Sequence, residues 1–125
     1  MREKRQKSFG VPLSQAEFFI LASLMASPKH GYAISKHVLE ISEGKVKFSA
    51  ATLYENIARL LDAGYIERAE EKEIAPGERR KTYRVTGAGA HVLDETWLIL
   101  RRAGGLVKPG AAKGYAFGAL TARGV

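Results

Sequence analysis

Residues 49–66 read SAATLYENIARLLDAGYI. Leu53, Ile57, Leu60 and Leu61 recur at helical spacing and make one face of an amphipathic helix. Ser49 is placed to cap its start. Gly64 suits the left-handed position past its end, where Leu60 and Tyr65 can make the apolar contact of a Schellman ending. A turn of about 100° per residue sets Ala51, Glu55 and Asp62 opposite the apolar face, flanked by Thr52, Ala58 and Arg59. Small residues beside hydrogen-bonding ones let a helix backbone come close to a partner. Ser49 and Thr52 can bond phosphate or base edges, Arg59 can reach guanine or phosphate, and Glu55 can accept from cytosine. The same spacing also fits an ordinary solvated face.

Upstream, Ser14 and Glu17 form a capping box, Leu13 can staple onto Phe18, and a helix runs from there to Ser27-Pro28. A second helix follows His30-Gly31, with Tyr32, Ile34, Val38, Leu39 and Ile41 apolar and Gly44 as its stop. Downstream the period changes. Residues 65–71 and 81–86 read as two strands of an antiparallel hairpin, joined by a loop with Ala75, Pro76, Gly77 and Glu78. From Thr86 to Ala103 the pattern is helical again: Ala90, Leu93, Trp97 and Leu100 on one stripe, with Val92, Ile99 and Ala103 beside it. The expected class is therefore mainly α with a small β-hairpin. Residues 13–86 would be a winged helix-turn-helix domain and 87–103 a C-terminal dimerisation helix. Residues 1–12 read as a basic flexible arm and 104–125 as a Gly/Ala-rich flexible tail.

The chain has 125 residues, enough for one domain with a modest core. Its net charge of +7 and pI near 9.8 suggest a polyanionic partner. That charge sits mainly at the ends: residues 13–86 hold eleven basic and ten acidic groups, so position must place any nucleic-acid surface there. No apolar run reaches the roughly 20 residues of a membrane span. The absence of cysteine removes disulfides and thiolate metal sites and suits a cytoplasmic location. His30, His37 and His91 are scattered, and neither an HExxH pair nor a phosphate-binding GxxxxGK[ST] loop occurs, so no enzyme, metal or cofactor is expected.

The ordered set HGYAISKHV, SAATLYENIARLLDAGYIE and ERRKTYRVTGAG closely resembles the PadR family of bacterial transcriptional regulators. The likeness covers about residues 13–90. It implies a dimeric, usually repressing protein whose two recognition helices and two wings straddle a near-palindromic operator in double-stranded DNA. Matched to this sequence, the family's DNA surface falls on Tyr32 and Lys36 of the second helix. It continues on Ser49, Thr52 and Tyr54 at the start of the third, and on Arg79, Arg80 and Lys81 of the wing. Glu70, Glu71, Glu73 and Glu78 lie where they could neutralise those wing cations instead.

The last helix carries more apolar surface than one small winged domain can cover. Leu93, Trp97, Leu98 and Leu100 are expected to bury it against a second copy, helped by the first helix. Trp97 reads as a dimer-core anchor or, by the resemblance, as the wall of a hydrophobic pocket between subunits for a small aromatic effector. The alternative is a winged-helix module for protein or RNA contact that reads no DNA sequence.

Overall fold

The structure is a computed structural model that describes residues 11–115. Most of the arm expected at 1–12 and the last ten residues of the tail expected at 104–125 lie outside the described residues.

Local chemistry accounts for the helix limits. Helix α1 (Gln15–Ala26) starts at Ser14, whose hydroxyl accepts the Glu17 N–H at 3.2 Å while the Glu17 carboxylate accepts the Ser14 N–H at 2.8 Å. This reciprocal pair is the expected capping box, and it lets Glu17 sit buried without an unmet charge. Helix α1 stops before Ser27-Pro28. Its end is closed by Lys29, whose ammonium donates to the carbonyls of Ser23 and Ser27 at 2.7 and 3.2 Å. A cation there meets both the free carbonyls and the negative end of the helix dipole.

Helix α2 (Gly31–Ile41) is capped by His30, whose Nδ1 accepts the Ala33 N–H at 3.3 Å. It ends at Ile41, before the expected stop. Ser42, Glu43 and Gly44 form a turn, with φ at 53° for Glu43 and 80° for Gly44. Helix α3 (Ala50–Ala63) begins at Ser49, which accepts the Thr52 N–H at 3.1 Å. At its end Gly64 takes a φ of 81°. The Tyr65 N–H then reaches the Leu60 carbonyl, and the Gly64 N–H the Leu61 carbonyl, each at 3.0 Å. That is the Schellman ending the sequence foretold.

The hairpin is present but built in two pieces. Strand β2 (Ile66–Arg68) pairs antiparallel with β5 (Thr82–Val85), aligning Ile66 with Val85 and Arg68 with Tyr83. The ladder breaks and resumes nearer the tip as β3 (Lys72–Ala75) against β4 (Glu78–Arg80), around Pro76-Gly77. At the break the Thr82 hydroxyl donates to the Glu70 carbonyl at 2.6 Å, so the wing can bend without losing that backbone acceptor. A third strand, β1 (Lys29–His30), pairs along the other edge of β5 to give the order β1-β5-β2. Two residues wedged between a helix stop and a helix cap carry no strand signature, so this pairing was invisible to pattern reading.

Helix α4 (Gly87–Gly104) is capped by Thr86, which accepts the Gly89 N–H at 3.1 Å and donates to the Gly64 carbonyl at 2.6 Å. The core joins Leu13, Ile20, Leu21 and Leu24 to Ile34, Val38, Leu53, Ile57, Leu60, Ile66, Tyr83 and Val92. Each large apolar side chain buried there contributes roughly 1.5–3 kcal/mol. Helix α4 turns Gly89, Val92 and Thr96 inward. Thr96 earns burial because its hydroxyl accepts the Leu13 N–H at 3.0 Å.

Candidate nucleic-acid interface

Helix α3 buries Leu53, Asn56, Ile57 and Leu60 and exposes Ala51, Thr52, Tyr54, Glu55, Ala58 and Arg59. The face opposite the core is therefore exposed to solvent. Ser49 is occupied as a cap and also donates to the Thr52 hydroxyl oxygen at 3.1 Å, which leaves the Thr52 proton available to a partner. Asn56 donates to the Thr52 carbonyl at 2.9 Å and accepts from Arg59 at 3.2 Å. Arg59 is thus steered along the helix surface by Asn56, a buried polar residue that the apolar pattern does not single out.

On α2, Tyr32 is exposed and the Lys36 ammonium lies 5.8 Å from its ring centroid. A cation over an aromatic face holds both side chains on one surface.

The wing carries Arg79, Arg80 and Lys81. Arg79 meets Glu71 at 3.4 Å and Arg80 meets Glu78 at 3.5 Å, all four side chains being about half exposed. Ion pairs that long and that wet contribute little and exchange partners easily. Glu73 is used elsewhere, accepting the Gly77 N–H of the turn at 3.0 Å. Arg84 and Glu67, aligned across the strands, form the tighter pair at 2.8 Å.

Tertiary packing gathers part of this set into one cleft. His30, Gly31, Tyr54, Arg79, Arg80, Lys81 and Tyr83 line a cavity of about 330 Å3 between the start of α2, helix α3 and the wing. Of the residues expected to face DNA, Tyr54, Arg79, Arg80 and Lys81 meet there, while Ser49, Thr52 and Arg59 lie along α3 and Tyr32 and Lys36 on α2. His30 and Tyr83 join the cleft, although in the sequence His30 marks only a helix boundary and Tyr83 only a strand position. Burial, with Arg80 nearby, holds the His30 imidazole below its ordinary pKa. Burial first, then Tyr54, pushes the Tyr83 phenol up against the opposing pull of Arg68. Both groups are neutral at pH 7 and sit among cations. Among the described residues no group of histidines and carboxylates is placed to hold a metal ion.

A second cleft, of about 270 Å3, lies between α1 and α4 and is lined by Phe18, Ala22, Met25, Ala90, Leu93, Asp94 and Trp97. Trp97 is 51% exposed, and Leu98 and Leu100 each 45%. Leu93, Trp97 and Leu100 share the stripe beside this cleft; Leu98 stands off it, next to Arg101 and Arg102.

Three packed helices followed by a two-stranded wing, with the third helix exposed on its outer face, define a winged helix-turn-helix protein. A family model, the transcriptional regulator PadR-like family, matches residues 20–95. The chain belongs to that family, whose members are transcriptional regulators and not enzymes. Among solved structures it is similar to a transcriptional regulator from Clostridium thermocellum, at 25% identity and a TM-score of 0.64, covering 76% of this chain and 91% of that one. It is similar to the protein smu.1704 of Streptococcus mutans at 27% identity and a TM-score of 0.59, covering 79% and 87%. It also shares the fold of Bacillus subtilis PadR, solved in complex with operator DNA, at 24% identity and a TM-score of 0.60. That match covers 70% of this chain and 49% of that one. No curated protein matches the chain. No helix among the described residues is long and apolar enough to cross a membrane.

Proposed function

We propose that this chain binds double-stranded DNA in a sequence-specific way and acts as a cytoplasmic repressor, two copies bridging a near-palindromic operator. The single observation that carries the reading is the cleft that joins Tyr54 of α3 to Arg79, Arg80 and Lys81 of the wing. It sets the three wing cations beside the early turns of the reading helix. Tyr32 and Lys36 supply backbone contacts from α2, and Ser49, Thr52 and Arg59 face the bases or phosphates from α3.

Dimerisation through α4 is supported by the exposed Trp97 and Leu100 beside the α1 groove. Leu93 completes the stripe, and Leu98 borders the contact from beside Arg101. Asp94 and Arg101 flank Trp97 about one turn to either side, so two α4 helices crossing antiparallel at Trp97 set each Asp94 against the partner copy's Arg101. A small aromatic effector would stack on Trp97 in the α1–α4 cleft and release the DNA.

The test is a gel-shift series over salt concentration, on the region upstream of the chain's own coding sequence, followed by footprinting. A defined footprint with steep salt dependence is expected. The Arg79–Glu71 and Arg80–Glu78 pairs favour the second reading, a protein- or RNA-contact module, and absence of retardation at low salt would select it.

A further inference from the structure

We propose that the cleft between α2, α3 and the wing seats one backbone phosphate of the bound duplex, with His30 as a donor to it. This rests on the DNA-binding reading above and assigns a role to two residues that reading leaves idle, His30 and Tyr83.

The lining is selective in kind. Three cations, two phenols and one imidazole surround the cleft with no carboxylate among them. The carboxylates that touch its arginines, Glu71 and Glu78, do so through single contacts of 3.4 and 3.5 Å from outside the lining. A phosphodiester offers anionic oxygens that Arg79 and Arg80 can take in exchange at little cost, because charge-assisted bonds to phosphate are short and can be bidentate.

His30 suits this place better than another cation. Its Nδ1 is committed to the Ala33 N–H, so the neutral ring carries its proton on Nε2 and presents a donor there. Burial and Arg80 both keep it neutral. A neutral donor adds a hydrogen bond to the anion without adding repulsion among the cations. Tyr54 brings a second such donor. Its hydroxyl reaches the cleft only because residue 31 has no side chain: a Cβ on Gly31 would overlap the Tyr54 phenol. Tyr83 is a buried part of the lining, its neutral phenol leaving the negative charge to the ligand. A phosphate held in this way ties α2, α3 and the wing to one point of the duplex. The angle between wing and recognition helix is then set by the DNA backbone before any base is read.

The experiment compares the full chain with its His30→Asp and Tyr54→Phe variants, on a mixed-sequence duplex and on the chain's own upstream region. Aspartate is a good N-cap, so His30→Asp keeps α2 capped while placing a carboxylate at the cleft. The seat requires an affinity loss of about tenfold or more on both duplexes. It also requires a log–log salt slope shallower by about one, and a melting temperature at or above that of the parent. Tyr54→Phe, which changes no charge, should lose about threefold on both. A His30→Asp variant that binds like the parent with the same slope overturns the seat, as does a Tyr54→Phe variant indistinguishable from it. A parent chain that retards neither duplex overturns the DNA-binding reading itself. Retained parental binding beside an indifferent His30→Asp variant removes the seat alone.

Discussion

The Tyr54 phenol lies directly over the Cα of Gly31, so that a Cβ at position 31 would overlap the ring and its hydroxyl. The contact locks the first residue of α2 to the first turns of α3 and aims the phenol into the basic cleft. Because Tyr54 is 49% exposed, its ring has room to swing away from an added methyl. Gly31→Ala is therefore expected to cost only about 1 kcal/mol in urea unfolding. Its larger effect should be on DNA affinity, lowered at least fivefold as the phenol leaves the cleft. Parental affinity in Gly31→Ala would separate Tyr54 from the interface.

Gly89 presents the contrasting case. Its added Cβ would meet the Tyr65 carbonyl, a backbone atom just past the end of α3. That carbonyl also accepts the Thr86 N–H at 3.0 Å, so it cannot move without loosening the start of α4. Gly89→Ala should destabilise by about 2–3 kcal/mol, more than Gly31→Ala. Equal unfolding midpoints for the two variants would contradict this ordering.

Thr96 offers a test that keeps shape and removes one acceptor. Thr96→Val fills nearly the same space but strands the Leu13 N–H, whose bond to the threonine hydroxyl is buried. An unmet buried donor costs about 1–3 kcal/mol. Chemical denaturation should show that loss, and faster amide exchange at Leu13 should accompany it. Unchanged exchange there would mean that the bond is not formed in solution.

His30 also predicts the direction of pH dependence. Burial, then Arg80, depresses its folded-state pKa below the ordinary value of about 6.5. The unfolded chain therefore binds this proton at higher pH than the folded chain does. The His30 contribution is complete above about pH 6.5 and is lost as pH falls toward the folded-state pKa. Protonation also fills the Nδ1 lone pair that caps α2. A His30→Asn variant, which keeps a capping oxygen, should lose less stability than the parent between pH 7 and pH 5.5. Parallel melting curves across that range would count against the imidazole.

The α4 charges give a test of how two copies meet. Arg101→Asp should set like charges together in an antiparallel pair and raise the dimer dissociation constant roughly tenfold, read by sedimentation. Adding Asp94→Arg in the same chain should restore it. A double variant no tighter than Arg101→Asp would rule out that crossing.

Capping, which involves neighbours in the chain, was legible without any fold. Ser14 with Glu17, Ser49 and Gly64 each set a helix limit through contacts no more than a few residues apart, or through a φ that glycine alone adopts freely. The apolar period then settled which face of α3 turns inward, and the order of three helices, a hairpin and a last helix indicated the winged architecture. Other features depended on contacts between distant segments. Strand β1 exists because β5 has an edge to offer Lys29 and His30, not because those two residues favour extension. Helix α4 seats itself through Gly89 and Thr96, which a count of apolar residues ignores: one allows backbone contact and the other meets a lone N–H. The cleft itself draws on His30, Tyr54, Arg80 and Tyr83, up to 53 positions apart in the chain (83 minus 30). Short-range chemistry fixes where an element starts and stops. Only the packed core decides which of its side chains share a cavity, because that depends on surfaces no single segment contains.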